Sequence, residues 1–181
     1  MRELDKDGRL LCEMQGKIFE KSAEAYGTSS AVFIRRYMNS DYAGRMDKAG
    51  FIDRPTDESE AFHALDEQYG PSSYGKTVYS RDELFWIGYL YRYWAYTYEI
   101  SSRRVYKTAN AFQMHSVYYI LHTMDPSAAI IRLLEGKNSL GDEEGLTEKG
   151  VRILRQIRNS KKQKKAAEII SEYSGPADKT I

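Results

Sequence analysis

Cysteine is almost missing from this 181-residue chain, which holds one, Cys12. A single thiol cannot close an internal disulfide, and without a second cysteine there is no spacing of the kind that holds zinc. Histidine is nearly as scarce, with His63, His115 and His122 far apart in sequence. His115 and His122 are seven residues apart, whereas metal pairs on a helix stand four apart. His63 has no serine, cysteine or carboxylate at a diagnostic spacing, His122 with Asp125 reads as a hydrogen-bonded turn, and no carboxylate pair has a recognisable spacing. The expectation is a chain with no metal, no cofactor and no catalytic constellation legible in sequence.

Charge of one sign is also lacking. Lysine and arginine number 27 against 26 aspartates and glutamates, so the net charge of +1 does not by itself signal a polyanionic partner. The opening MRELDKDGRLL is charged and has no apolar run of the signal-peptide kind, which leads to a cytoplasmic expectation. There is no internal repeat, heptad run or low-complexity tract. Hydrophobic residues at 41% and charged residues at 29% are an ordinary soluble balance, and the length suits one domain plus an appendage.

What the chain has in excess is tyrosine, 15 of them. Tyrosine serves both as a peripheral core residue and as an anchor of binding surfaces, and both readings stay open. The aromatic residues concentrate in Ser80 to Ile100, SRDELFWIGYLYRYWAYTYEI, which includes both tryptophans. Ser80 followed by Glu83 reads as a capping box. At helical spacing Leu84, Ile87, Gly88, Tyr91, Trp94, Ala95 and Tyr98 share one face, and Phe85, Tyr89, Arg92, Tyr96 and Glu99 another. Neither face is plainly polar, so the stretch reads as a central helix buried on most sides, with Gly88 and Ala95 letting another helix come close. Arg92, Glu99 and the tyrosine hydroxyls exclude a membrane span.

Around it, amphipathic segments predict helices over 9–26, from Ser29 or Ser30 to Asn39, from Asp57 to Tyr69, from Ser101 onward, over 109–123, and from Asp125–Pro126 to Gly136. Arg35 and Arg36 are expected to point outward, and Glu99 to pair with Arg103. The fold class is therefore all-α: a compact multi-helix bundle over 1–136, a polar linker over 137–146, an appended basic helix over 147–173, and an end that frays over 174–181.

Two stretches raise specific chemistry. GPSSYGKT, Gly70 to Thr77, matches the spacing of a phosphate-binding P-loop. That motif needs a strand before it and a helix starting at the lysine, whereas here an amphipathic helix precedes it and the next cap is Ser80, so an ordered loop is the better reading. From Lys149 to Lys165 there are basic residues and no acidic ones, with Arg152, Arg155, Arg158, Lys162 and Lys165 at three- and four-residue steps. A solvated helix face and an electrostatic contact with nucleic acid or an acidic protein both fit this pattern.

The segments FIRRYMNS, YSRDELFWIGYLYRYW, VYKTA and HTMDPSAAI, within residues 12 to 135, resemble a family of small bacterial antitoxin-like proteins. The resemblance implies a helical protein encoded beside a toxin, in some cases an ADP-ribosyltransferase-like toxin, which it neutralises by occluding the active cleft. The basic tail from Asn138 exceeds the family form. Tyr74 and Lys76 in the loop, and Arg92, Tyr96 and Glu99 on the less apolar helix face, are the expected partner-binding residues. The alternative is a protein that binds DNA, including its own operon, through the basic residues of the tail.

Overall fold

The computed structural model describes residues 2–52 and 57–136, and every regular element among them is a helix. In chain order these are α1 (Lys6–Ala25), α2 (Ser30–Asn39), α3 (Asp41–Met46), α4 (Glu58–Tyr69), α5 (Arg81–Tyr98), α6 (Ser102–Thr108) and α7 (Ala111–Leu121), followed by α8 over 126–136. The chain divides into two compact units, Met1–Leu133 and Leu134–Ile181. The expected linker, the basic helix with Arg152, Arg155, Arg158, Lys162 and Lys165, and the end at 174–181 lie outside the described residues.

Helix starts follow local side-chain chemistry. Free amide groups of a first turn are met by Asp5 in α1, Ser40 in α3, Ser80 in α5, Ser101 in α6 and Asn110 in α7. The reciprocal capping box sits at Asn110 and Gln113. At Ser80 only half of one forms: the Glu83 amide donates to Ser80 Oγ at 3.3 Å, while the Glu83 carboxylate turns to His115. α2 begins differently. Ser29 makes no side-chain cap, and the Ser29 and Ser30 amides donate instead to the carbonyls of Tyr74 and Thr77, both at 3.0 Å.

The most extensive helix contact joins α1 to α5. Gly8 faces Tyr96 and Gly16 faces Phe85, so the two helices run antiparallel. A methyl group on Gly88 would lie 2.7 Å from the Gln15 carbonyl oxygen and 2.8 Å from the Phe19 ring. Gly88 is thus the point where the backbones approach, as its place on α5 predicts. Beside it Phe19 meets Phe33, Tyr37 and Tyr91 edge-on, with ring centroids 5.3, 4.9 and 6.4 Å apart, a geometry favoured by the ring quadrupoles. Both tyrosines in this cluster are buried, and Tyr91 donates to the Ala109 carbonyl at 2.7 Å. No described helix is long and apolar enough to cross a membrane.

Candidate interaction surface

The five expected partner-binding residues fall at two ends of α5. Arg92 and Tyr96 belong to its C-terminal half and Glu99 ends it, whereas Tyr74 and Lys76 belong to the loop before its first residue. At ~1.5 Å of rise per residue the 18-residue helix is about 27 Å long, so Glu99 stands a full helix length from the loop and Arg92 a little over half of one.

At the C-terminal end a cavity of about 380 Å³ is lined by all three α5 residues together with Arg2, Asp47 and Lys48. Arg92 is not on an open face: it is 1% exposed. Its Nε donates to Gln15 Oε1 at 2.9 Å, Nη1 to Asp47 Oδ1 at 2.7 Å and Nη2 to Ser102 Oγ at 3.0 Å. Asp47 in turn accepts from the Ser102 amide and hydroxyl, and Gln15 Nε2 donates to the Gly88 carbonyl. A buried guanidinium is tolerated only when its donors are met in this way. The node ties α1, α5 and α6 to the turn after α3, and it takes Arg92 out of the set able to touch a partner. Helical spacing put Arg92 on the less apolar face and among the partner-binding residues because it could not see Asp47, 45 positions away.

Tyr96 is also engaged. Its hydroxyl donates to Asp5 at 2.7 Å, and the Arg2 guanidinium lies 4.2 Å from its ring centroid. Desolvation by the protein, with Asp5 as acceptor second, pushes the Tyr96 phenol up to about 12. The Gly8 amide first, then the Tyr96 hydroxyl, hold Asp5 down at about 2. Glu99 is exposed and has left-handed backbone, φ 53°. Its amide donates to Tyr96 O and that of Ile100 to Ala95 O, a Schellman ending with glutamate where glycine is usual. The expected Glu99–Arg103 contact is replaced by Arg103 donating to the Asn39 carbonyl at 3.0 Å.

The loop at the other end is held rigidly. Besides the two carbonyls that cap α2, the Tyr79 amide donates to Ser30 Oγ at 2.9 Å. Gly75 has φ +83°, and any side chain there would meet Ser29 Oγ at 2.5 Å. The P-loop-like spacing thus serves packing: loop carbonyls point at a helix start, where a P-loop would point amides at phosphate. α4 precedes it and α5 begins at Arg81. Tyr74 projects from this frame, 75% exposed, and Lys76 is exposed beside it. Arg36, expected outside, donates to Tyr26 Oη and the Gly70 carbonyl at 3.0 and 2.9 Å, closing the base of the loop.

The loop leads to a feature that sequence periodicity did not single out. The Tyr79 ring stacks on His115 of α7, centroids 4.1 Å apart and planes within 6°, and His115 Nδ1 lies 2.5 Å from Oε1 of buried Glu83. On the same helix Phe112, Tyr119 and Ile120 are 70, 81 and 72% exposed. α7 is apolar almost all round, so its pattern does not say which side is covered; the one legible signal is the lack of formal charge from Ala109 to Met124.

Elsewhere, burial pushes the Cys12 thiol up to about 12, which keeps it protonated and unreactive at neutral pH. His122 Nδ1 lies 3.0 Å from the Tyr118 carbonyl in place of the expected turn with Asp125, which caps α8 through the Ser127 amide. Among the described residues no group of histidine, cysteine and carboxylate side chains could hold a metal ion.

Neither family models, characterised proteins nor solved structures match this chain.

Proposed function

We propose that this protein works by binding another protein, as an antitoxin that covers the active cleft of a toxin encoded beside it. In this reading a helical body arranged around α5 is the rigid support, and the loop 70–79 is the element that enters the cleft. The observation that carries it is Tyr74, three-quarters exposed on a loop whose backbone is fixed to α2 at Tyr74, Thr77 and Tyr79. A large aromatic side chain on a preorganised frame loses little entropy on docking, and tyrosine is among the residues that dominate binding energy. Lys76 adds a cation at the same tip, suited to an acidic cleft. Glu99, exposed on strained backbone, is a second contact at the far end of α5. An ADP-ribosyltransferase-like toxin is the partner class that the resemblance implies.

The test is co-expression with the product of the adjacent reading frame. The two proteins co-purify, and Tyr74→Ala or Lys76→Ala weakens the complex and restores toxicity. Absence of any complex, or a complex indifferent to both changes, ends the reading. The alternative, DNA binding through Arg152, Arg155, Arg158, Lys162 and Lys165, rests on the acid-free run from Lys149 to Lys165. It requires promoter binding that weakens steeply with salt, and salt-insensitive or absent binding removes it.

A further inference from the structure

At helical spacing Phe112, Ser116, Tyr119 and Ile120 share one face of α7, and all four are exposed. The opposite side of the helix is accounted for. Ala111, Met114 and Leu121 are buried, and Tyr118 packs edge-on against Trp86 with centroids 5.6 Å apart. One helix therefore has a side that belongs to the core and a side that is equally apolar and in water.

We propose that this exposed face is the contact between two copies of the chain, paired about a two-fold axis. Charge selects a second copy over a different protein. In a symmetric pair, residues near the axis meet their own copies, so any ionised side chain there faces its like. The 16 residues from Ala109 to Met124 contain no lysine, arginine, aspartate or glutamate, so the acidic and basic residues that would clash across the axis are missing along the whole helix. A partner recognised by electrostatic complementarity would find nothing here to read. Area points the same way. Aromatic side chains carry about 150–250 Å² each, so at 70 and 81% exposure Phe112 and Tyr119 present roughly 300 Å². Ile120, with Gln113, Ser116 and Thr123 around it, brings the face towards the ~800 Å² per partner of a stable interface. Antiparallel pairing of two α7 helices sets Ser116 against its own copy and Phe112 against Tyr119 and Ile120 of the other.

Sedimentation of the full chain from low to high micromolar concentration tests this. A concentration-dependent dimer is expected, and Tyr119→Glu/Ile120→Glu raises its dissociation constant about a hundredfold or more with the far-ultraviolet circular dichroism unchanged. Ser116→Cys links to its own copy under mild oxidation, since Cys12 is buried and does not compete, and it does so faster than Lys76→Cys. A chain that stays monomeric throughout overturns the proposal, as does a dimer that survives the double substitution or equal cross-linking at the two cysteine sites. A monomer whose α7 variants lose a co-expressed partner gives the face to that partner and equally overturns it.

Discussion

α5 buries an arginine and a glutamate, whereas α7, which has no formally charged residue, leaves a phenylalanine, a tyrosine and an isoleucine in water. The two helices touch at Glu83 and His115, so the contrast lies within one small body. In α5 each buried polar group is used up by neighbours: Arg92 by Gln15, Asp47 and Ser102, and Glu83 by His115. Polar residues of this kind hold the fold, and their burial keeps them from a partner. In α7 the apolar side chains are surplus to the core, and a contiguous exposed apolar face is the usual mark of an interaction site. Residue type alone would have assigned these roles the other way round.

The sharpest way to break the comparison is Arg92→Met. If the node holds the fold, stranding Asp47 and Gln15 costs about 3–5 kcal/mol in urea denaturation. A loss below about 1 kcal/mol, the range of an exposed ion pair, would return Arg92 to the candidate surface. Next is Gly88→Ala, which forces a methyl group against Gln15 and Phe19 and costs about 1–3 kcal/mol; a neutral outcome would mean that α1 and α5 can separate without penalty.

Glu99→Gly should act in the opposite direction. Relief of left-handed backbone at φ 53° stabilises by about 1 kcal/mol, and a simultaneous loss of partner affinity would show what the strain is kept for. On the α7 side, Phe112→Ser measured at low protein concentration should change stability by no more than about 0.5 kcal/mol, since the side chain contributes little to the core. A larger loss would make α7 a structural helix like α5.

The smallest effect is expected with acid at the start of α1. Asp5 has a folded pKa of about 2 against an ordinary 3.8, so its contribution is complete above 3.8 and is lost as pH falls through about 2. Amide exchange at Gly8 should therefore quicken over that window, and Asp5→Asn should flatten the change.

How much of this could be read beforehand differs by element. Helix starts at Ser80, Ser101 and Asp125 were legible because capping acts between residues two or three apart. The buried α5 face from Leu84 to Ala95 was legible because 3.6-residue periodicity lines it up. Gly88 was legible as a point of close approach, though not that α1 would supply Gln15 and Phe19. The P-loop-like spacing at Gly70 to Thr77 was correctly set aside on its flanking helices, yet nothing local could say that its carbonyls would cap α2, some 45 residues earlier.

By itself, then, the sequence determined the all-helical character of the described residues, the places where several of their helices begin, and the lack of a cysteine or histidine framework, because these depend on composition and on neighbours within a turn or two. Only the tertiary structure decided that Arg92 is interior, that Tyr74 stands out on a fixed loop, and that α7 turns Phe112, Tyr119 and Ile120 to water. Those outcomes depend on which distant groups satisfy a charge or cover a side chain. Asp47 and Ser29 do so from 45 residues away, where no local pattern reaches.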